Sequence, residues 1–241
     1  MGAPDTLGFV PPARALTEVA PGLLVAEAPL RYFGFEMGRR MNVVRLAGGG
    51  LLIHSPAELT GELRSELDQL GEVRFVVPAS NLHGHLFMEQ YGDAYPAVKL
   101  FAAPGLERKR PGLRFDGELS SVPEAEWSDD LDQAAFEGHR RLTEIEFFHR
   151  STRTLITGDL CFNVGPGWPL TTRLLAWGPR MKRRLGPTTA FRLAIGDREA
   201  ARRSLARILE WDFDRILPGH GETVPSNGRA ALREGFVWLL S

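Results

Sequence analysis

The chain has 241 residues, of which 43% are apolar and 24% are charged, a composition that is typical of a soluble globular protein and excludes a fibre or a disordered tail. Its 29 Lys and Arg balance 30 Asp and Glu, so the formal net charge of −1 gives no reason to expect a nucleic-acid partner. The single Cys excludes an internal disulfide and a multi-cysteine metal site, whereas the six His are enough to supply imidazole ligands.

The first half of the chain alternates strand patterns with a helix pattern. The predicted strands cover residues 22–26, 41–46, 51–54, 73–77 and 98–102. Ser55 and Pro56 resemble the N-cap and first residue of a helix whose leucines recur at helical spacing. Gly71 is expected to end this helix. Residues 1–20, which contain several prolines, are expected to wrap the surface as an arm.

The second half predicts a hairpin followed by alternating helices and strands. The hairpin pairs residues 145–148 with 154–157, Asp197 caps a helix, a strand covers 213–217, and a last helix covers about 228–240. Hairpins followed by helix–strand alternation indicate an α/β (α+β) fold with helices covering the sheets. We expect one domain that spans residues 1–241.

Two segments have opposite charge. Residues 115–138 hold eight acids and no Lys or Arg, and residues 160–196 hold six Lys or Arg and no acid. The simplest interpretation is two solvated surface segments that face each other. The alternatives make 160–196 a basic lid over an anionic substrate, a self-association surface in a homo-oligomer, or a helix on a membrane surface.

Polar residues that suit a metal site follow several predicted strands. His83 and His85 are two residues apart in an extended loop, so both rings can point to one metal ion or to two adjacent ions. His139, Asp159 and His220 each stand next to a glycine at a strand end. Loop tips on a rigid sheet commonly carry functional sites, and imidazole with carboxylate suits zinc, iron or manganese.

Each of these residues also has a structural interpretation. His83 and His85 are then loop residues with satisfied side chains, and His139 caps a turn. Asp159 forms an Asx turn, and His220 is a turn residue. In that case the chain has the fold without a working metal site.

The order of these segments resembles the metallo-β-lactamase-like superfamily, which carries H-x-H-x-D-H after a strand and then G-H, G-D and a final G-H. The resemblance covers about residues 20–225 and implies a four-layer αββα sandwich with one or two divalent metal ions between its sheets. A domain-of-unknown-function branch of this superfamily is suggested by four segments. These are His54-Ser55-Pro56, Asn81-Leu82-His83-Gly84-His85, Pro104-Gly105-Leu106-Glu107-Arg108-Lys109 and His149-Arg150-Ser151-Thr152-Arg153-Thr154-Leu155.

The resemblance implies a set of metal ligands. His83 and His139 match ligands of a first metal position. Asp159 and His220 match ligands of a second position, where His85 is an additional nitrogen donor. Zinc is the first candidate for the ion, with iron and manganese as alternatives.

Three positions depart from the motif. Leu86 stands where the last motif His belongs, and the other two, His85 and Asn81, are the predicted catalytic residues. His85 stands where the motif has Asp, which orients the reactive water, and an imidazole that titrates near neutrality suits acid–base work. Asn81 stands where the first motif His belongs and is predicted to ligate weakly or to donate a hydrogen bond to a developing oxyanion.

The first functional hypothesis is a cytoplasmic metal-dependent hydrolase of a small-molecule substrate, anionic if the basic segment contacts it. Superfamily substrates include β-lactams, thioesters, lactones and phosphodiesters, and the fold does not choose between them. A second hypothesis is a non-hydrolytic metal- or ligand-binding protein. A third is a pseudoenzyme that has an incomplete metal site and docks a protein partner. No targeting segment and no membrane span are predicted.

Overall fold

The computed structural model describes residues 13, 15–32, 35–178 and 185–241. The predicted surface arm at 1–20 falls largely outside these residues. The strands are β1 (Thr17–Ala20), β2 (Leu23–Ala28), β3 (Arg31–Tyr32), β4 (Phe35–Glu36), β5 (Arg39–Arg45), β6 (Leu51–His54), β7 (Val73–Val77), β8 (Lys99–Ala102), β9 (Gly117–Glu118), β10 (Leu131–Phe136), β11 (Glu144–His149), β12 (Thr154–Ile156), β13 (Phe162–Asn163), β14 (Leu185–Gly186), β15 (Arg215–Leu217) and β16 (His220–Gly221). The helices are α1 (Gly61–Leu70), α2 (Met88–Ala94), α3 (Leu170–Trp177), α4 (Thr189–Leu193), α5 (Arg198–Ile208), α6 (Gly228–Gly235) and α7 (Val237–Leu240).

Two sheets form the centre of the molecule. The first has the strand order β1-β2-β5-β6-β7-β8-β9, and the second has the order β10-β11-β12-β15. Strands β6 to β9 run parallel to one another, as do β12 and β15, whereas the other pairs in the two sheets are antiparallel. A small sheet, β14-β13-β16, joins the segment after β12 to the segment after β15.

Side chains that alternate along the strands divide the core into layers. On β5, Val44 belongs to the core between the sheets, whereas Val43 belongs to the core on the outer face, which α1 and α2 cover. Trp127 closes one end of the core between the sheets, edge-on against Phe75 and Phe101. Helices α5, α6 and α7 cover the outer face of the second sheet. This is the expected αββα sandwich.

The predicted strands and the hairpin are present, but the start of α1 was predicted wrongly. Its N-cap is Thr60, whose hydroxyl accepts the N–H of Leu63 at 3.2 Å. Ser55 has a positive φ of 55° and donates its N–H to Val77, so it ends β6 rather than starting a helix. The predicted last helix is divided into α6 and α7, with the buried Phe236 between them.

The basic segment 160–196 contains β13, α3, β14 and α4. Residues 179–184, which hold four of its six basic side chains, lie outside the described residues. Acids of the 115–138 segment pair with other parts of the chain, as Glu126 does with Lys99 and Asp132 with Arg150. In the described part of the chain, no helix has the length and apolar character needed to cross a membrane.

Candidate metal site

Three loops bring His83, Asp159 and His220 together at one end of the two sheets. Each loop follows the carboxyl end of a strand, β7, β12 and β15 respectively. One ligand atom of each residue lies within 4.8 Å of the others. Elsewhere in the described ranges no second group of three such side chains converges in this way. We call these three residues the His–Asp–His group.

A buried serine shapes the loop that carries His83. The hydroxyl of Ser80 accepts the N–H groups of Leu82 at 3.1 Å and His83 at 2.9 Å, and the Ser80 N–H donates to the His83 carbonyl. Gly84 follows with φ of +79°, and a Cβ there would lie 2.3 Å from the hydroxyl oxygen of Ser55. This turn therefore requires glycine.

A buried carboxylate shapes the loop that carries Asp159. Glu144, on β11, accepts the backbone N–H groups of Gly158 at 2.6 Å, Asp159 at 2.7 Å and Leu160 at 3.0 Å. Its side chain has no exposure to solvent. Three hydrogen bonds to consecutive backbone groups fix the turn and hence the position of the Asp159 carboxylate.

The first sheet fixes the loop that carries His220. The ring atom Nδ1 of His220 donates to the carbonyl oxygen of Gly38 at 2.6 Å. The buried guanidinium of Arg40 donates to the carbonyl oxygens of Pro218 and Gly221 on either side of this histidine. With Nδ1 turned to this carbonyl, Nε2 is the ring nitrogen of His220 that faces the site, 3.1 Å from Oδ1 of Asp159.

The rings of the group are stacked. His83 and His220 have centroids 4.7 Å apart and planes 10° apart, and Phe162 stacks on the other face of His220 at 4.5 Å. The Oδ1 atom of Asp159 lies 3.4 Å from Nδ1 of His83 and 3.1 Å from Nε2 of His220. One carboxylate oxygen therefore faces both imidazoles.

The charges in the group depend on one another. Burial lowers the pKa of His83, but Asp159 and Glu144 together outweigh burial, so the pKa of this imidazole lies above its ordinary value. Burial raises the pKa of Asp159, but His83 and His220 more than reverse that effect. They hold the pKa of this carboxyl group well below its usual range. Asp159 is therefore ionised and carries the negative charge that attracts a cation.

These observations fit a divalent ion. The Nδ1 atom of His83 is buried and has no hydrogen-bond partner among the described residues, since its contact with Asp159 lacks hydrogen-bond geometry. The second nitrogen donor is Nε2 of His220. The hydrogen bond from Nδ1 to Gly38 orients this ring, as is usual for metal-binding histidines. Two imidazole nitrogens and a carboxylate suit zinc, iron or manganese.

His139 is outside the group. Its Nδ1 atom accepts the N–H groups of Arg141 at 3.2 Å and Leu142 at 3.0 Å, and its ring packs on Phe191. A neutral imidazole that accepts at Nδ1 carries its proton on Nε2. In this orientation His139 offers a hydrogen-bond donor and no free lone pair. Burial lowers its pKa, so the neutral form is favoured.

His85 is also outside the group. The guanidinium of Arg110 lies 3.4 Å from Nδ1 of His85 and donates to its carbonyl oxygen at 3.2 Å. Burial, Arg110 and His83 lower the pKa of His85 to about 4, below the neutral range expected from the sequence. An arginine only donates hydrogen bonds, so the neutral ring carries its proton on Nε2.

Asn81 is held by the backbone. Its Oδ1 atom accepts the N–H of Thr143 at 3.3 Å, and its carbonyl oxygen accepts from Lys109 at 3.0 Å. The side chain is buried and does not line the cavity described next. The described geometry thus brings three of the five predicted metal ligands together and leaves both predicted catalytic residues outside the group.

The His–Asp–His group lines one wall of a cavity of about 660 Å³, and His85 and His139 also line it. The remaining wall is mainly apolar and comes from the first sheet and from the basic segment 160–196. The helices α3 and α4 supply part of this wall. The group is therefore accessible to a ligand of moderate size.

Two buried acids beside the site were not predicted from the sequence. Glu144 and Glu146 lie on the same face of β11, opposite the side that Ile145 and Phe147 present to the core between the sheets. Burial and Asp159 raise the pKa of Glu144 to about 7. Burial and Glu144 raise the pKa of Glu146 well above its ordinary value. The available signal was the Glu-Ile-Glu pattern inside an otherwise apolar strand.

The sequence matches one known protein family. The family model described as "Domain of unknown function (DUF4336)" matches residues 33–192, about two thirds of the chain. No curated protein matches the sequence.

Solved structures match over nearly the whole chain. A metallo-beta-lactamase from Pontibacter korlensis has a TM-score of 0.65 and 13% identity, covering 94% of this chain and 98% of that one. The mono-zinc form of the metallo-beta-lactamase FIM-1 from Pseudomonas aeruginosa has a TM-score of 0.62 and 13% identity, covering 95% and 93%. The metal-soaked Flv1 flavodiiron core from Synechocystis sp. PCC6803 has a TM-score of 0.65 and 12% identity, covering 95% and 62%. The fold is that of the metallo-β-lactamases.

Proposed function

The chain belongs to the DUF4336 family and has the metallo-β-lactamase fold, and from this premise we propose that it is a metal-dependent hydrolase of a small-molecule substrate. The observation that supports this most is the convergence of two imidazoles and an ionised carboxylate on the wall of an accessible cavity. In this proposal His83, Asp159 and His220 hold the ion, and zinc is the first candidate. The mono-zinc form of FIM-1 is a structural neighbour with a bound metal of this kind.

When bound, the ion would supply Lewis-acid activation of water and of the attacked carbonyl or phosphoryl oxygen. The protein's own residues orient the substrate. His85 and His139, both neutral with a proton on Nε2, line the cavity and are placed to donate hydrogen bonds to it. Whether either of them also joins the ligand set, and whether Asn81 acts in catalysis, remain predictions.

A second candidate is a metal-binding protein without hydrolytic activity. It is favoured by the hydrogen bonds that hold Nδ1 of His139 and Oδ1 of Asn81 to the backbone, because these leave the site with three converging ligand residues. The fold also occurs in a flavodiiron core, which is a metal protein of a different kind.

Metal titration of purified protein tests the proposal. Wild type stripped with chelator and then supplied with Zn²⁺, Fe²⁺ or Mn²⁺ is expected to retain about one ion per chain after gel filtration. The variants His83→Ala and Asp159→Ala are expected to lose it. The matched control is His149→Ala, because His149 is a buried histidine that bonds Thr152 and Ser151.

Substrate panels then separate the two candidates. An ester, lactone, thioester or phosphodiester that is hydrolysed by wild type and His149→Ala, but not by the two ligand variants, supports the hydrolase. Stoichiometric metal without turnover of any panel member supports the binding protein. Failure of all three ions to bind after reconstitution overturns both candidates.

A further inference from the structure

The cavity has a strongly uneven distribution of polar groups. Its reactive groups are collected on the wall that carries the His–Asp–His group. The rest of the lining is mainly apolar and includes Met37, Met41, Leu142, Phe162, Leu175 and Phe191. A ligand that fills this space therefore meets the His–Asp–His group and a lining that is otherwise mainly apolar.

Three polar residues of the remaining lining, Thr172, Thr188 and Arg40, make hydrogen bonds within the protein, and a fourth, Arg39, stacks its guanidinium on Phe87. The Thr172 hydroxyl donates to the carbonyl oxygen of Glu36, and the Thr188 hydroxyl accepts the N–H of Phe191. The Arg40 guanidinium is turned to backbone carbonyls and to a carboxylate. These groups do not require a polar partner from a ligand, so this part of the cavity favours an apolar one.

The rim of the cavity is also apolar. Leu82, Leu86 and Leu175 line it with 49%, 44% and 42% of their surface exposed. Leu170 and Leu174 on α3 extend the same patch. Together these make up five of the eight large apolar residues that are exposed among the described residues. A concentrated apolar patch around a cavity indicates the entry of an apolar ligand.

We propose that the substrate is an ester, thioester or lactone whose acyl part is an extended apolar group that occupies this cavity. Hydrolysis would form a bond between the acyl carbon and the oxygen of water and break the bond from that carbon to the leaving oxygen or sulfur. One proton of the water goes to the leaving group, so the products are a carboxylic acid and an alcohol or thiol. A phosphodiester fits less well, because most of the lining is apolar, and the two arginines that also line the cavity, Arg39 and Arg40, already contact Phe87 and backbone carbonyls respectively.

This substrate class rests on the proposed hydrolase, but the cavity's preference for an apolar chain does not. Straight-chain primary amides from butanamide to decanamide therefore serve as probes that are not readily hydrolysed, measured by calorimetry on chelator-treated protein. Affinity is expected to rise about fourfold per added methylene until the cavity is filled, from the transfer free energy of a methylene group.

A pair of tryptophan substitutions, one inside the cavity wall and one outside it, tests the location. Leu175→Trp places a larger side chain at the cavity wall and is expected to weaken decanamide binding at least tenfold while leaving butanamide within about twofold. Leu193→Trp is the control, since Leu193 on α4 is an exposed leucine that neither lines the cavity nor belongs to the apolar patch at its rim. Both positions are exposed, so both variants are expected to fold, and the wild-type series is informative without them.

The outcomes separate the two proposals. A chain-length dependence in protein that binds no metal would leave the cavity assignment standing and overturn the hydrolase. Hydrolysis of acyl substrates with kcat/KM independent of chain length, or of phosphodiesters alone, would overturn the acyl-chain proposal and leave the hydrolase. An equal loss of decanamide binding in both tryptophan variants would also overturn the acyl-chain proposal.

Discussion

The position of Asp159 depends on a residue that never reaches the cavity. Glu144 is fully buried, and its two oxygens accept three consecutive backbone N–H groups from the turn that presents Asp159. Groups that orient a metal ligand in this way affect metal affinity nearly as strongly as the ligands themselves. We therefore regard Glu144 as a positioning residue.

Replacing Glu144 with Gln is expected to weaken Zn²⁺ binding about 10- to 100-fold, a range typical for loss of such partners. The NH₂ group of the glutamine side chain cannot accept the backbone N–H that a carboxylate oxygen accepts at the same position. At least one hydrogen bond of the turn is therefore lost. Competition with a chromophoric chelator measures the affinity. Glu137→Gln, at an exposed acid, is the control, and equal affinities in the two variants would contradict this role.

Glu146 makes stability depend on pH. Neither of its carboxyl oxygens has a hydrogen-bond partner among the described residues, and burial and Glu144 raise its pKa well above the ordinary value. As pH rises above about 4, the unfolded chain releases this proton first. The free energy of unfolding therefore falls with rising pH until the pKa of the folded state is reached.

Glu146→Gln removes the part of the pH dependence of stability that Glu146 causes. We expect the variant to exceed wild type in free energy of unfolding by more than about 1 kcal/mol at pH 8, because one pKa unit corresponds to about 1.4 kcal/mol. The difference should shrink towards pH 4. Urea denaturation at a series of pH values measures it, and a difference that does not change with pH would show that Glu146 is ionised or solvated in the folded protein.

At the scale of elements, the start of α1 illustrates a competition between local signals. Ser55 and Thr60 are both followed by residues that suit a helix start. Ser55 ends β6 with its N–H bonded to Val77, and its positive φ directs the chain along the cavity. Thr60, five residues later, therefore caps the N-terminus of α1.

Thr60→Ala is expected to lower the free energy of unfolding by about 1 kcal/mol, the usual cost of losing a side-chain N-cap. Ser55→Ala removes no cap and should cost less than half as much. Urea unfolding of the two variants compares them directly. A larger loss in Ser55→Ala would place the functional cap where the sequence pattern first suggested it.

At the scale of the whole molecule, Arg40 joins the two halves of the fold. It lies on β5 of the first sheet, is 4% exposed, and pairs with Glu27 at 2.6 Å. It also donates to the carbonyl oxygens of Pro218 and Gly221, which follow the last strand of the second sheet. The Arg40 guanidinium therefore stabilises both the contact between the two sheets and the loop that carries His220.

Arg40→Met is expected to reduce the free energy of unfolding by about 2–3 kcal/mol, because buried carbonyl oxygens lose charge-assisted hydrogen bonds. It should also weaken Zn²⁺ binding, since the His220 loop is no longer fixed. Chemical denaturation and chelator competition measure the two effects. Arg45→Met, at the exposed end of the same strand, is the control and should stay within about 0.5 kcal/mol of wild type. Unchanged metal affinity in Arg40→Met would separate Arg40 from the site.

Much of the framework could be predicted from local patterns. The short, mainly apolar runs at 41–46 and 73–77 depend on neighbours along the chain, and so does the Asp197 cap of α5. The glycines beside Asp159 and His220 likewise indicated turns at strand ends, and these turns do meet. Such features are predictable because residues close in sequence determine most of their energy.

By itself, the sequence determined the layered fold, the family and the segments that supply candidate ligands. Only the tertiary structure decided that His83, Asp159 and His220 converge, while His139 turns its Nδ1 to the backbone. It also buried Glu144 beside the site, although an acid in a strand usually indicates a surface position. The reason is that ring orientation, tautomer and burial are set by contacts between residues far apart in the chain, and no local pattern encodes those contacts.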